Sequence, residues 1–141
     1  MTDVALATLA TITRCPRRIR DVAGADPALV EDIDVQDIVV LNLQRAIQAA
    51  IDLAAHVISQ RGWGLPDSIK AHFTILAREG VIDPELCTKL EAMVGFRNIA
   101  IDDYEALDIA ILKRIVGERL SDLEAFAGAV VRALERPETS A

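Results

Sequence analysis

Aromatic side chains are scarce in this sequence, with one Trp, one Tyr and three Phe among 141 residues. A core must therefore be assembled from Ala, Ile, Leu and Val, which dominate a hydrophobic content of 52% and give the composition expected of packed helices. Cysteine is nearly missing as well. Cys15 and Cys87 lie 72 positions apart with no CxxC pair or Cys/His cluster beside them, which argues against a structural zinc site and reads as two reduced core thiols. The length is enough to bury one substantial core without such staples, so one domain over residues 1–141 is expected.

Other absences narrow the function. No Gly-rich phosphate loop, internal repeat or low-complexity run is present, which removes P-loop enzymes and repeat proteins. A surplus of basic residues is lacking too. The net charge of −7 argues against a protein that coats nucleic acid non-specifically, while leaving room for a small, locally basic site. The first residues have no basic-then-apolar layout of an export signal. The most apolar stretch, residues 35–58, carries Asp37, Asn42, Gln44, Arg45, Gln48 and Asp52 and does not read as a membrane span. The cytoplasm is the compartment these features suggest.

What is present is helical periodicity. Residues 1–24 carry Val4, Leu6, Leu9, Ile12, Ile19 and Val22 at helical spacing, with Pro16 predicting a kink or short break, and Gly24 and Pro27 mark a connection. From about Val35 an apolar stripe recurs every three or four residues as far as Ile58. Asp34 is positioned to cap this helix, and Gly62 and Gly64 end it. Pro66, Asp67 and Ser68 start a third helix, which stops at Gly80. Asp83 followed by Pro84 starts a fourth, along one side of which lie Leu86, Leu90, Met93, Val94, Arg97 and Ile101. A last helix spans about Asp108 to Leu134, and residues 136–141 should fray. The fold class is all-α, a bundle of four or five helices.

The segment from Gly95 to Tyr104 breaks the apolar pattern of the fourth helix with Arg97-Asn98 and Asp102-Asp103-Tyr104. An arginine on an apolar face is costly if it is buried alone. Either Arg97 pairs with Asp102 or Asp103 and merely ends the helix, or its face opens onto a cleft or partner.

Arg97, Asp102 and Tyr104 keep the spacing of the motif of HEPN-type ribonucleases, in which Arg is followed after four to six residues by His, any residue, and Tyr. The sequence is similar to HepT-like toxins in particular. Similarity continues in Asp37–Ile47, Ile51–Ile58, Gly64-Leu65-Pro66 and Met93–Asn98, in the same order, and covers roughly residues 30–135. The resemblance implies a HEPN-type bundle acting as a homodimer, with motifs of two subunits meeting in one cleft, and a metal-independent endoribonuclease needing no cofactor. In that scheme Arg97 holds the scissile phosphate, Asn98 assists by hydrogen bonding, and Tyr104 flanks the RNA. It also implies an MNT-type nucleotidyltransferase antitoxin, in a type VII toxin–antitoxin system, that transfers AMP to Tyr104 and adds charge and bulk where RNA phosphate must sit.

Asp102 departs from the motif, standing where the histidine belongs. An aspartic acid of ordinary acidity titrates near ~3.9, so at pH 7 about one molecule in a thousand holds a proton to donate, and a neighbouring Arg97 favours the anion further. A carboxylate here also repels phosphate. Cleavage by this chain is expected to be weak or absent. The alternative is a catalytically dead HEPN binding module that holds the nucleotidyltransferase, and a third reading is a helical nucleotide-binding protein outside any toxin system.

The remaining candidates have plainer explanations. His56, four residues after Asp52, is expected to pair with it on the long helix, and His72 to be solvent-facing or half-buried. Arg14, Arg17, Arg18 and Arg20 form a basic run that reads as a solvated face, an RNA track or a contact for an acidic partner. Trp63 reads as an aromatic closing the end of the bundle.

Overall fold

A computed structural model describes residues 2–24 and 26–136. Its order is α1 (Asp3–Ala23), a 3-10 helix (Pro27–Glu31), α2 (Ile33–Arg61), α3 (Ile69–Arg78), α4 (Pro84–Asp102) and a 3-10 turn (Tyr104–Ala106). Then α5 (Ile109–Arg114), a π-turn (Ile115–Arg119) and α6 (Leu120–Glu135) follow without a gap. No strand occurs among the described residues, as the composition led one to expect.

The bundle is organised around α2, which contacts α1, α3, α4 and α6. Its buried side includes Val39, Leu43, Ala46, Ile47, Leu53, Ala54 and Val57, all at most 2% exposed. By length and composition α2 is apolar enough to cross a bilayer, yet 61% of that apolar window is buried by its neighbours. Phe73 on α3 meets Phe126 on α6 edge to face, with ring centroids 5.7 Å apart. Cys15 and Cys87 are both buried and unpaired.

Helix ends follow local chemistry. The Asp83 carboxylate accepts from the backbone N–H of Leu86 at 2.7 Å with Pro84 in the first turn, and Ser68 Oγ accepts from Ala71 N–H at 3.1 Å. Gly62, at φ 69°, supplies the left-handed residue that closes α2. The start of α2 corrects the sequence expectation. Asp32, not Asp34, is the cap, because its carboxylate reaches the N–H groups of both Asp34 (2.9 Å) and Val35 (3.2 Å), and the helix begins at Ile33.

Pro16 does not interrupt α1, contrary to the predicted break. A proline inside a helix costs roughly 3 kcal/mol. Burial of Ile12 and Ile19, both at 0% exposure, offsets that, since each contributes about 1.5–3 kcal/mol and Ala5, Cys15 and Ala23 add to the same face. Arg136, placed by sequence in the fraying tail, is the C-cap of α6, and its carbonyl accepts from Arg61 Nη2 at 3.1 Å. Residues 137–141, the rest of that expected tail, lie outside the described residues.

Candidate active site

The fourth helix places Arg97 between core and solvent. Leu90, Met93 and Val94 on the preceding turns are buried, Arg97 is half-buried, and Ile101 one turn later is 55% exposed, so the apolar stripe of α4 runs out into the open. No bridge from Arg97 to Asp102 or Asp103 forms among the described residues. The guanidinium instead reaches across to α2, where Nη2 donates to Gln48 Oε1 at 2.5 Å, while Nη1 donates to Asn98 Oδ1 at 3.0 Å. Nε is buried with no partner among the described residues.

Gln48 is itself held in place. Its amide Nε2 donates to Asp52 Oδ1 at 2.8 Å, so the carboxylate fixes which end of the amide faces Arg97. Both acceptors on the guanidinium are neutral, and the nearest carboxylate of this chain of contacts stands one amide away. Little of the positive charge is cancelled. Arg97, Gln48 and Asp52 line an open cleft of about 450 Å³ between α1, α2 and α4, together with Arg45, Thr8 and Thr11.

Asp102 is the last residue of α4 and is exposed, and its side chain makes no hydrogen bond or ion pair among the described residues. Tyr104 begins the following 3-10 turn, and its hydroxyl donates to Asp37 Oδ1 on α2 at 2.6 Å. Burial, reinforced by the hydrogen bond to Asp37 and its negative charge, pushes the phenol up to about 12. The side chain remains 37% exposed.

The structure thus gathers Arg97 and Asn98 with Gln48, and Tyr104 with Asp37. In the sequence Gln48 and Asp37 stand out only as polar residues of the apolar stretch 35–58, and Asp52 as the expected partner of His56. The spacing of Arg45, Gln48 and Asp52 puts them on one face, which was the available signal. The partners of Gln48 and Asp37 lie 49 and 67 residues away and left no local trace.

The histidines stand apart from this cluster. Asp52 is taken by Gln48, so the expected Asp52–His56 pair is not made, and His56 Nε2 lies 3.5 Å from Thr2 Oγ1. His72 is half-buried and its Nδ1 sits 2.9 Å from the Ser68 carbonyl in its own first turn. In the basic run, Arg20 pairs with Glu124 on α6, and Arg14, Arg17 and Arg18 are exposed. Trp63 is half-buried against the core, and its carbonyl accepts from Arg78 Nη2 at 3.3 Å.

The helical bundle is similar to that of HEPN-type proteins. The chain belongs to the Ribonuclease HepT-like family, whose profile matches residues 12–130. It is 41% identical over 126 residues to mRNA nuclease HepT of Shewanella oneidensis, covering 89% of this chain and 95% of that protein. Its fold is similar to the tri-AMPylated HEPN toxin of Shewanella oneidensis solved in complex with MNT antitoxin. The TM-score is 0.87 at 41% identity, over 94% of this chain and 99% of that one. It is equally similar to a toxin–antitoxin structure with AMP-PNP, with a TM-score of 0.87 at 39% identity over 94% of this chain and 99% of that one.

Proposed function

We propose that this chain is the toxin half of a toxin–antitoxin pair, a metal-independent HEPN endoribonuclease that works as a cytoplasmic homodimer and is neutralised when an MNT-type nucleotidyltransferase adds AMP to Tyr104. The observation that carries this reading is the bonding of Arg97. A guanidinium neutralised by a carboxylate is spent on structure, whereas one resting on the neutral oxygens of Gln48 and Asn98 keeps its charge for phosphate. Arg97 would hold the scissile phosphate and stabilise its growing charge as the 2′-hydroxyl attacks, with Asn98 fixing the guanidinium. A homodimer would bring a second copy of the same residues to the cleft.

Asp102 limits the chemistry. At the motif position where a histidine moves protons, this chain has an exposed carboxyl side chain in place of the imidazole, and its charge would oppose the bound phosphate. Weak or absent cleavage follows. Expression of this chain and of its Asp102→His variant, each with and without the nucleotidyltransferase, tests the reading. Growth arrest and RNA cleavage by the variant alone, relieved by the partner, are the expected results.

The second reading, a catalytically dead module that holds the nucleotidyltransferase, rests on Asp102 itself. It is favoured by a tight complex with no cleavage even after Asp102→His.

A further inference from the structure

A tyrosine that is to accept a nucleotidyl group must lose its proton as its oxygen attacks phosphorus, and something has to take that proton. Tyr104 is the only tyrosine of the chain, and its hydroxyl already points its hydrogen at a carboxylate, Asp37 Oδ1, at 2.6 Å. That distance lies inside the range required of a general base. We infer that Asp37 is the general base that takes the Tyr104 proton during nucleotidyl transfer, a role that rests on Tyr104 being the acceptor. In the step, the Tyr104 oxygen forms a bond to the α-phosphorus of a nucleoside triphosphate supplied by the partner enzyme. The bond from that phosphorus to the pyrophosphate oxygen breaks, the proton passes to Asp37 Oδ2 or Oδ1, and pyrophosphate leaves.

Three observations favour this role over a merely structural contact. Asp37 is exposed and Tyr104 is 37% exposed, so the bond is not sealed in the core and the phenolic oxygen can be approached. Unassisted ionisation is suppressed. With the phenol pushed up to about 12, only roughly one molecule in 10⁵ is phenolate at pH 7, so attack without a base would be slow. Asp37 is also the carboxylate that the Tyr104 hydroxyl reaches, although Asp102, Asp103 and Glu105 flank Tyr104 along the chain and Asp34 precedes Asp37 on α2.

The test compares AMP incorporation into the full chain, by intact mass, with saturating cognate nucleotidyltransferase and ATP between pH 6 and 10. Asp37→Asn keeps an oxygen that can accept the hydrogen bond but is no base, and it should slow incorporation about 100-fold at pH 7. The gap should close as pH rises, because the variant depends on phenolate and gains nearly tenfold per pH unit while the parent changes little. Asp37→Glu, which restores a carboxylate, should recover at least about a tenth of the parent rate. If Tyr104→Phe is inert while Asp37→Asn matches the parent at every pH, or lags by a constant factor, the base role is overturned and the acceptor reading stands. AMP appearing on Tyr104→Phe, or none on the parent, overturns the acceptor reading itself.

Discussion

The guanidinium of Arg97 is held by the side-chain carbonyl of Gln48, a residue 49 positions earlier and on a different helix, whose own amide is anchored by Asp52. An amide in this place orients the arginine without discharging it. Replacing Gln48 by Glu keeps the shape and inserts a carboxylate, so the guanidinium becomes an ion pair. In an Asp102→His background, Gln48→Glu is expected to lower the RNA cleavage rate at least about tenfold, whereas Gln48→Ala should cost less because the charge survives. Equal rates for Gln48→Glu and its parent would remove the electrostatic account.

A histidine at position 102 changes the proton inventory. The expected gain over the present chain is about 10²–10⁴-fold in cleavage, the usual worth of a positioned acid or base, with a pH optimum bracketing the ordinary histidine value of ~6.5. Single-turnover cleavage across pH reads this directly. Two flat and equal profiles would show that residue 102 takes no part.

The phenol of Tyr104 predicts a pH effect with a definite sign. Its folded value, about 12, lies above the ordinary 10.0, burial being the larger cause and Asp37 the smaller, so the stability tied to the neutral phenol is full below pH 10 and is lost as pH climbs through 12. Because the side chain is partly exposed, the energy is small. The titration itself is readable, since a single tyrosine supplies the whole phenolate absorbance. Asp37→Asn should lower the midpoint, while burial, which the substitution leaves in place, keeps it above 10. An unchanged midpoint would mean that the contact is not kept in solution.

Gly117 and Gly128 offer a stability contrast. A Cβ at Gly117 would stand 3.2 Å from Pro27 Cγ, a stiff ring in the 3-10 helix, whereas one at Gly128 would meet only the tip of Arg132 at 3.4 Å. Gly117→Val is therefore expected to destabilise by about 1–3 kcal/mol in urea unfolding. Gly128→Ala should stabilise by up to about 1 kcal/mol through helix propensity. The opposite ordering would contradict the contact with Pro27.

Much of the bundle was legible because its signals are local. Asp83-Pro84, Ser68, Gly62 and Gly80 each act on backbone groups within one turn, so their effect can be read without knowing what lies across the bundle. The motif residues Arg97 and Tyr104 were legible for a different reason, resemblance. What each of them touches was not. Arg97 had two possible fates in sequence, and the choice was made by Gln48, whose competing attraction for Asp52 also undid the Asp52–His56 pair expected from spacing. The uninterrupted α1 escaped for a similar reason, since the burial that outweighs the cost of Pro16 comes from α2 and α6.

The π-turn at Ile115–Arg119 has a consequence for how this chain tolerates change in length. A π-turn holds one residue more than an α-helix needs there, so α5 and α6 already face the core with that surplus absorbed between them. Removing a single residue from this stretch would let it relax into ordinary α-helix and leave Leu112 and Phe126 pointing inward. The same deletion in the middle of α2 would swing everything beyond it by about 100° and carry Gln48 away from Arg97 or turn Val57 out to water. Relatives differing by one residue in length at this point would keep the same architecture.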